Sequence, residues 1–187
     1  MLHHEQPPTA DPTARKPYPQ KVEAIIRRAE AALAAPLLTI VQKAHLAASG
    51  DPRDYHSLSI YWSPVTQSDG SVVWQHRDGK RNPAASEYDA GKLKATCAHA
   101  YDLSLGFRVT GEQKYARRCV QVIDAFFLNP KSGMRPHLRY AQAIPGDSPG
   151  NRQGIIEGLP ISLQLLDAAI LLQNFDGWTK HNSRRNG

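Results

Sequence analysis

The feature of this sequence that most restricts its fold is a pair of amphipathic segments separated by a very short break. The break is Thr110-Gly111-Glu112. On both sides of it, apolar residues recur three or four positions apart, which is the spacing of one face of an α-helix. The first face contains Leu93, Cys97, Ala100, Tyr101 and Leu105, and the second contains Tyr115, Cys119, Val122, Ile123 and Phe126. Two amphipathic helices joined so closely predict an antiparallel helical hairpin.

Two further helices are predicted outside this hairpin. Residues 20 to 35 have a helical apolar face, and Pro36 ends that helix. Residues 159 to 174 are apolar nearly all round, which predicts a helix buried on most sides. Before the hairpin, Ser86 and Asp89 have the spacing of a capping box. Four helices without a run of strands predict an all-α fold built from antiparallel helix hairpins.

Two long stretches lack helical periodicity. Residues 49 to 86 and 131 to 158 are rich in turn signals such as Ser68-Asp69-Gly70 and Asn82-Pro83. Connections of this length are usually functional or disordered. The first stretch contains the aromatic patches Ile60-Tyr61-Trp62 and Val72-Val73-Trp74, so we expect long ordered loops that pack on the helices.

Length and composition limit the number of domains and the class of protein. The chain has 187 residues, of which 41% are hydrophobic, enough for one domain with a core. We expect a flexible leader at 1–19, a domain at 20–179 and an unstructured tail at 180–187. No apolar run is long enough to cross a membrane, and the chain starts without a signal peptide. Cys97 and Cys119 lie on apolar helix faces, which indicates buried free thiols, with a single bridge as the alternative.

The charge balance favours acidic partners. Lys and Arg number 23 against 17 Asp and Glu, which gives a net charge of +6. Such a surface suits nucleic acid, anionic lipid or an acidic polysaccharide. Lys92-Lys94 and Arg117-Arg118 form no basic stripe on a helix, so we expect no nucleic acid. No metal-binding or nucleotide-binding motif is present. An enzyme with its site on loops, a polyanion-binding module and a helical-repeat scaffold remain open.

Side chains that suit an acidic sugar gather in the two long stretches. Aromatic rings stack on sugar rings, and Arg or Asn can pair with a carboxylate. The alternative is that the aromatic residues anchor a loop to the core and that the histidine is structural. The candidates are Tyr61, Trp62, His137, Tyr140, Gln142, Asn151 and Arg152.

Three blocks of sequence carry a resemblance to a known family. Residues 54–64 contain Ser57-Leu58-Ser59-Ile60-Tyr61-Trp62-Ser63-Pro64, similar to an aromatic block S-L-x-x-Y-W-W-P. Residues 77–83 are similar to R-D-G-x-x-N-P. Residues 127–157 are similar to W-F-L-D-P, M-N-P-H-L-x-Y-A-Q-x-I-P-G and G-I-I-D in succession. Together these blocks resemble the N-terminal half of an alginate-lyase-like polysaccharide lyase domain.

The chain departs from the family pattern at three positions and at its end. Ser63 stands where a second Trp is usual, Arg135 where Asn is usual, and Glu157 where Asp is usual. The later Asn-Asn-His element of the family has no match after Thr179. We therefore expect a truncated domain that binds polyuronates weakly and cleaves them barely or not at all.

The resemblance implies an activity and a fold. The activity is β-elimination on a uronic-acid polymer such as alginate or glucuronan, without metal or cofactor. The fold is an incomplete (α/α) toroid. Tyr140 and His137 would be nearest the proton chemistry and Arg152 would face the carboxylate. The sugar subsites would be lined by Tyr61, Trp62, Gln142 and Asn151.

Location and partners also follow from the resemblance, which implies a periplasmic or secreted protein acting on an acidic polysaccharide. The alternative is a non-catalytic, helical module that binds acidic polysaccharide. The remaining chain has too few residues to cover the helix at 159–174. We therefore expect an exposed apolar patch there, and self-association through it.

Overall fold

The fold is described by a computed structural model that covers residues 18–150 and 154–178. The predicted tail at 180–187 lies outside the described residues, as does the predicted leader apart from residues 18 and 19. The helices and strands in chain order are α1 (Pro19–Ala34), β1 (His56–Leu58), β2 (Trp62–Thr66), β3 (Val72–His76), α2 (Ala90–Thr110), α3 (Gln113–Ile123), β4 (Tyr140–Ala143), α4 (Gly154–Pro160) and α5 (Leu166–Leu171).

Helix α2 lies at the centre, with α1, α3 and α5 packed against it. The predicted hairpin of α2 and α3 is confirmed. Gly111 ends α2 with φ of 74°, a left-handed conformation that glycine adopts without steric cost. Gly106 lies at the crossing with α1, where an added Cβ would be 2.5 Å from the Cβ of Ala29. Glycine at this position therefore allows the two helices to approach closely.

The capping prediction before α2 is wrong. Asp89 precedes the helix but makes no side-chain cap, and Ser86 donates its hydroxyl proton to the carbonyl of Pro83 within a 3-10 turn at Pro83–Glu87. The carboxylate of Asp89 is instead taken up by tertiary partners, Lys43 and the backbone N–H of His56. A stronger tertiary interaction has replaced the local one.

Two clusters of buried side chains form the core. One lies between α1, α2, α3 and α5 and includes Leu103, Tyr115 and Cys119. The other lies where the loops meet α2 and includes Ile40, Tyr55, Cys97, Phe126 and Ala141. Both cysteines are free and buried, as predicted. Burial raises the pKa of the Cys97 thiol to about 12 and also raises that of Cys119.

The prediction of an all-α fold, an incomplete (α/α) toroid, is wrong because the long stretches contain strands. Strands β2 and β3 form an antiparallel hairpin, and β1 pairs in parallel with β4. The hairpin arises from the aromatic and β-branched patches expected to be loops, which flank the turn at Gly70. Such patches favour strands, and their pairing supplies backbone hydrogen bonds that an irregular loop would lack. The chain is a mixed α and β structure.

The predicted fourth helix begins five residues early and is interrupted. Helix α4 starts at Gly154, contains Pro160, and continues through a π-helical turn at Ile161–Leu165 into α5. Proline lacks the N–H for the regular helical bond, and a local π turn accommodates the change. The helix is not buried on most sides. Its exposed side chains confirm the predicted apolar patch: Ile156, Leu159, Leu163, Leu166 and Ile170.

Within the described residues, no helix has both the length and the apolar character that crossing a bilayer requires.

Candidate active site

Strand β4 positions the two site residues that lie on it. Ala141 and Ala143 are buried against the core, whereas Tyr140 and Gln142 are half-buried. The pairing with β1 shifts between His56–Tyr140 and Leu58–Ala143, so β4 contains one extra residue. Gln142 has φ of 54°, which is uncommon for a residue other than glycine. A bulge of this kind re-aims a side chain, and bulges are frequent beside functional sites.

The bulge is held by a partly buried hydrogen-bond network. Gln142 donates its backbone N–H to the hydroxyl of Ser57 over 2.8 Å. The hydroxyls of Ser57 and Tyr55 both donate to one carboxylate oxygen of Glu157, over 2.6 and 2.7 Å. Burial, with the Glu157 carboxylate, raises the pKa of Tyr55 far above its usual range. Glu157 therefore ties α4 to β1 and, through Ser57, to the bulge in β4.

A cavity of about 480 Å³ opens beside this bulge. Gln142 lines it together with Tyr61 and Trp62, so three of the predicted substrate-binding residues meet in one place. Tyr61 remains 38% exposed, which leaves its ring free to contact a ligand. Ile156 of α4 contributes an apolar part of the wall.

His76 also lines the cavity, and sequence reasoning missed it. Its ring lies edge-on to Trp62, with centroids 5.7 Å apart, and near Tyr61 at 6.4 Å. The cause is the hairpin register, which places His76 directly opposite Trp62. The available signal was the pair of aromatic and β-branched patches around one turn. A hairpin prediction would have brought His76 next to the aromatic block.

The two predicted proton-transfer residues lie close to each other, but neither is part of the lining of this cavity. The rings of His137 and Tyr140 lie edge to face, with centroids 6.1 Å apart. Nδ1 of His137 accepts the backbone N–H of Arg139 over 3.4 Å. Nε2 lies 3.2 Å from a carboxylate oxygen of Asp54. Both ring nitrogens of His137 thus have neighbours that fix its orientation.

Asp54 is itself held in place by Ser49 and Lys43. Its second carboxylate oxygen accepts the hydroxyl proton of Ser49 over 2.6 Å, and its backbone carbonyl accepts Lys43 over 2.5 Å. Asp54 was missed as a site residue, although it begins the aromatic block of the resemblance. Its position was not decidable from sequence because its contact with His137 spans distant segments of the chain.

Lys43 and Asp89 form a buried ion pair below the site. Their charged atoms are 2.6 Å apart, and each side chain is 1% exposed. Asp89 also accepts the backbone N–H of His56 over 2.9 Å. Since Lys43 contacts Asp54 as well, this pair connects the start of α2, the start of β1 and the residue that holds His137. No sequence motif signals it.

Arg135, one of the departures from the family pattern, has a structural partner. Its guanidinium lies 2.7 Å from the carboxylate of Asp51. The backbone N–H of Arg53 and the side chain of Arg135 lower the pKa of Asp51. Arg135 therefore connects its own loop to the loop that contains Asp51.

The predicted residues Asn151 and Arg152 lie outside the described residues. The described chain approaches the site just before them, at Gly150, where an added Cβ would lie 2.6 Å from the Cα of Tyr140. Within the described residues, the cavity lining contains neither Lys nor Arg. In the same part of the chain, no cluster of three or more His, Cys, Asp or Glu could hold a metal ion.

Comparison with known proteins identifies the family. A family model described as alginate lyase matches residues 39–186. The chain belongs to the alginate lyase family. A solved structure, an alginate lyase from Bacteroides ovatus, is 32% identical in sequence, with a TM-score of 0.82. The match covers 88% of this chain and 44% of that one, so the chain spans less than half of that protein's length. The search of curated proteins found no match.

Proposed function

We propose that this protein is a polysaccharide lyase that cleaves a uronic-acid polymer, alginate or glucuronan, by β-elimination. Membership of the alginate lyase family supports the reaction class. The observation that carries the proposal is the pairing of His137 with Tyr140, which lies on the strand whose Gln142 lines the aromatic cavity. The experiment described below tests which of the two polymers is cleaved and whether this chain cleaves it unaided.

The reaction makes three demands on the site. The C5 proton of a uronate is a poor acid, so its carboxylate must be neutralised to stabilise the charge that develops in the transition state. A base must remove the C5 proton, and an acid must protonate the departing O4. The electron pair of the broken C5–H bond forms a C4–C5 double bond as the C4–O4 bond breaks.

Tyr140 is the proposed proton-transfer residue. Among the described residues, no hydrogen-bond partner occupies its hydroxyl, whereas both nitrogens of His137 have neighbours. His137 is the proposed partner that contacts the Tyr140 ring and the reacting sugar. Arg152 is proposed to neutralise the carboxylate, because the described cavity lining supplies no cation and the chain leads to Arg152 directly after approaching Tyr140 at Gly150.

Tyr61, Trp62 and Gln142 are proposed to hold the sugar, and Asn151 to assist them. Aromatic rings offer flat apolar faces for the sugar ring, and the amide of Gln142 offers donors and an acceptor for its hydroxyls. Since such polymers lie outside cells, we propose a periplasmic or secreted location. We also propose that the chain self-associates through the exposed apolar face of α4 and α5.

The test is direct, because the product has a double bond conjugated to its carboxylate and absorbs in the ultraviolet. The protein is incubated with alginate or with glucuronan, and the absorbance is followed. We expect slow turnover of one polymer, reduced at least about 100-fold in Tyr140→Phe, the size expected for loss of a general acid or base. Tyr18→Phe, an exposed tyrosine at the start of α1, is the matched control and should retain full activity.

Other outcomes separate the alternatives. Binding of a polyuronate without turnover, unchanged in Tyr140→Phe, would favour the non-catalytic polysaccharide-binding module. Equal turnover by the wild-type chain and Tyr140→Phe would contradict the role of Tyr140. Neither binding nor turnover by a folded sample would overturn the proposed function.

A further inference from the structure

A second cavity adjoins the aromatic one and has a different character. It measures about 530 Å³, and Ile60 lines both cavities. Its wall includes the cationic side chains of Arg81 and Lys94, and no Asp or Glu contributes to the described lining. The two cavities therefore lie side by side, one aromatic and one basic, with Ile60 between them.

The two cations of this cavity are available to a ligand. Among the described residues, neither Arg81 nor Lys94 forms an ion pair or a side-chain hydrogen bond. By contrast, Arg135 pairs with Asp51, and Lys114 pairs with Glu30. Two unengaged cations that share one concave wall without a carboxylate create a positive potential that attracts an anion.

Asn82 fixes the two cavities relative to each other. Asn82 is 5% exposed and lines the basic cavity next to Arg81. Its side-chain amide donates to the carbonyl of Trp62 over 2.9 Å, and its backbone N–H donates to the carbonyl of Ile60 over 2.7 Å. A ligand that spans both cavities would thus meet a pre-arranged pair of walls, which lowers the cost of ordering on binding.

We propose that the basic cavity of Arg81 and Lys94 is a second sugar subsite, which binds the carboxylate of a neighbouring uronate unit while the first unit occupies the aromatic cavity. This inference rests on the proposed function. A polyuronate has a carboxylate on every unit, so a chain crossing Ile60 presents an anion to the guanidinium and the ammonium. The site would select polyuronates over neutral polysaccharides, because a neutral chain gains nothing from the two cations.

The test compares a uronate dimer with a uronate tetramer, using the protein as it is and titration calorimetry at low salt. The variant is Arg81→Gln with Lys94→Gln. The control is Arg27→Gln with Arg117→Gln, which removes the same charge from exposed positions on α1 and α3. We expect the first variant to weaken tetramer binding about tenfold, as for two charge-assisted contacts at a partly exposed site, and dimer binding less than about twofold. The control should change neither.

Salt and a third variant separate this proposal from the proposed function. Tetramer binding should weaken with salt more in the wild-type chain than in Arg81→Gln with Lys94→Gln, because exposed charges are screened. Trp62→Ala should weaken both ligands. If Trp62→Ala weakens both but the double variant weakens neither, the basic subsite is overturned and the proposed function stands. Equal weakening by the double variant and its control would also overturn the subsite. Absence of binding by the wild-type chain would contradict both.

Discussion

Charged side chains of this protein differ greatly in how much stability they control, and the buried pair Lys43–Asp89 is the extreme case. Both side chains are 1% exposed, and Asp89 also accepts a backbone N–H. Removing one partner would leave the other charge buried without compensation, which costs far more than the pair contributes when intact.

We predict that Asp89→Ala lowers the free energy of unfolding by about 3–5 kcal/mol, the usual cost of breaking a buried pair. Urea denaturation measures the change. The matched control is Glu112→Ala, which breaks an exposed pair with Lys114 and should cost much less than Asp89→Ala. Equal losses in the two variants would show that burial does not set the cost here.

A pH dependence follows from His56. Burial lowers the pKa of this histidine below its ordinary value of 6.5. The unfolded chain therefore binds more protons than the folded chain between the two pKa values, so the free energy of unfolding falls as the pH falls through about 6.5. We predict that the melting temperature drops between about pH 7 and pH 5, and that His56→Gln reduces this drop. His76→Gln, on the exposed hairpin, serves as the control. If the melting temperature of His56→Gln fell with pH as steeply as that of the wild-type protein, His56 would not be the cause of the pH dependence.

At the scale of elements, the crossing of α1 and α2 depends on Gly106. The Cβ of Ala29 would lie 2.5 Å from a Cβ at this position, closer than two non-bonded carbon atoms can approach. Any larger residue must push the helices apart, although it would also favour the helical conformation of α2.

We predict that Gly106→Ala destabilises the protein by about 1–3 kcal/mol, because overpacking outweighs the gain in helix propensity. Gly91→Ala, also in α2, is the control. Nothing lies within 4 Å of an added Cβ there, so this change should be neutral or stabilise by up to about 1 kcal/mol. Chemical denaturation of both variants tests the pair. The same effect at both positions would show that propensity, not packing, decides at Gly106.

At the scale of the whole molecule, the face formed by α4, the turn at Ile161–Leu165 and α5 leaves apolar side chains exposed. Its five apolar residues are each between 46% and 64% exposed. They recur at three- and four-residue intervals, so they form one continuous stripe rather than scattered contacts. Contiguous apolar surface of this kind marks an interaction site or a source of aggregation.

We predict that the isolated chain forms dimers or larger species, and that Leu163→Lys with Leu166→Glu shifts it toward monomer. Light scattering coupled to size-exclusion chromatography gives the mass directly. The control Val72→Lys with Val73→Glu places the same charges on the exposed β2–β3 hairpin and should leave the mass unchanged. A wild-type chain that is monomeric at high concentration would contradict self-association through this face.

Part of this protein was predictable from local patterns in its sequence. The helix α1, the hairpin of α2 and α3 and the buried thiols follow from the spacing of apolar residues. The exposed apolar patch was predicted from the small number of residues left to cover the last helix, and the prediction that this helix is buried on most sides was wrong. The resemblance to alginate lyases was carried by short blocks, and the family is confirmed. These features share one physical cause, because helical periodicity and turn residues act over a few positions of the chain.

Tertiary structure alone decided the rest. The pairing of β1 with β4 brings Tyr140 next to His56, a contact between segments far apart in sequence that no local pattern specifies. The role of Asp89 changed from a helix cap to an ion-pair partner because Lys43 lies next to it in the fold. Asp54 became part of the site through its contact with His137, which lies far away in sequence, whereas His76 reached it through the register of the β2–β3 hairpin. Strand pairing and buried charge pairing are satisfied by partners far away in sequence, and only the folded chain determines which partners meet.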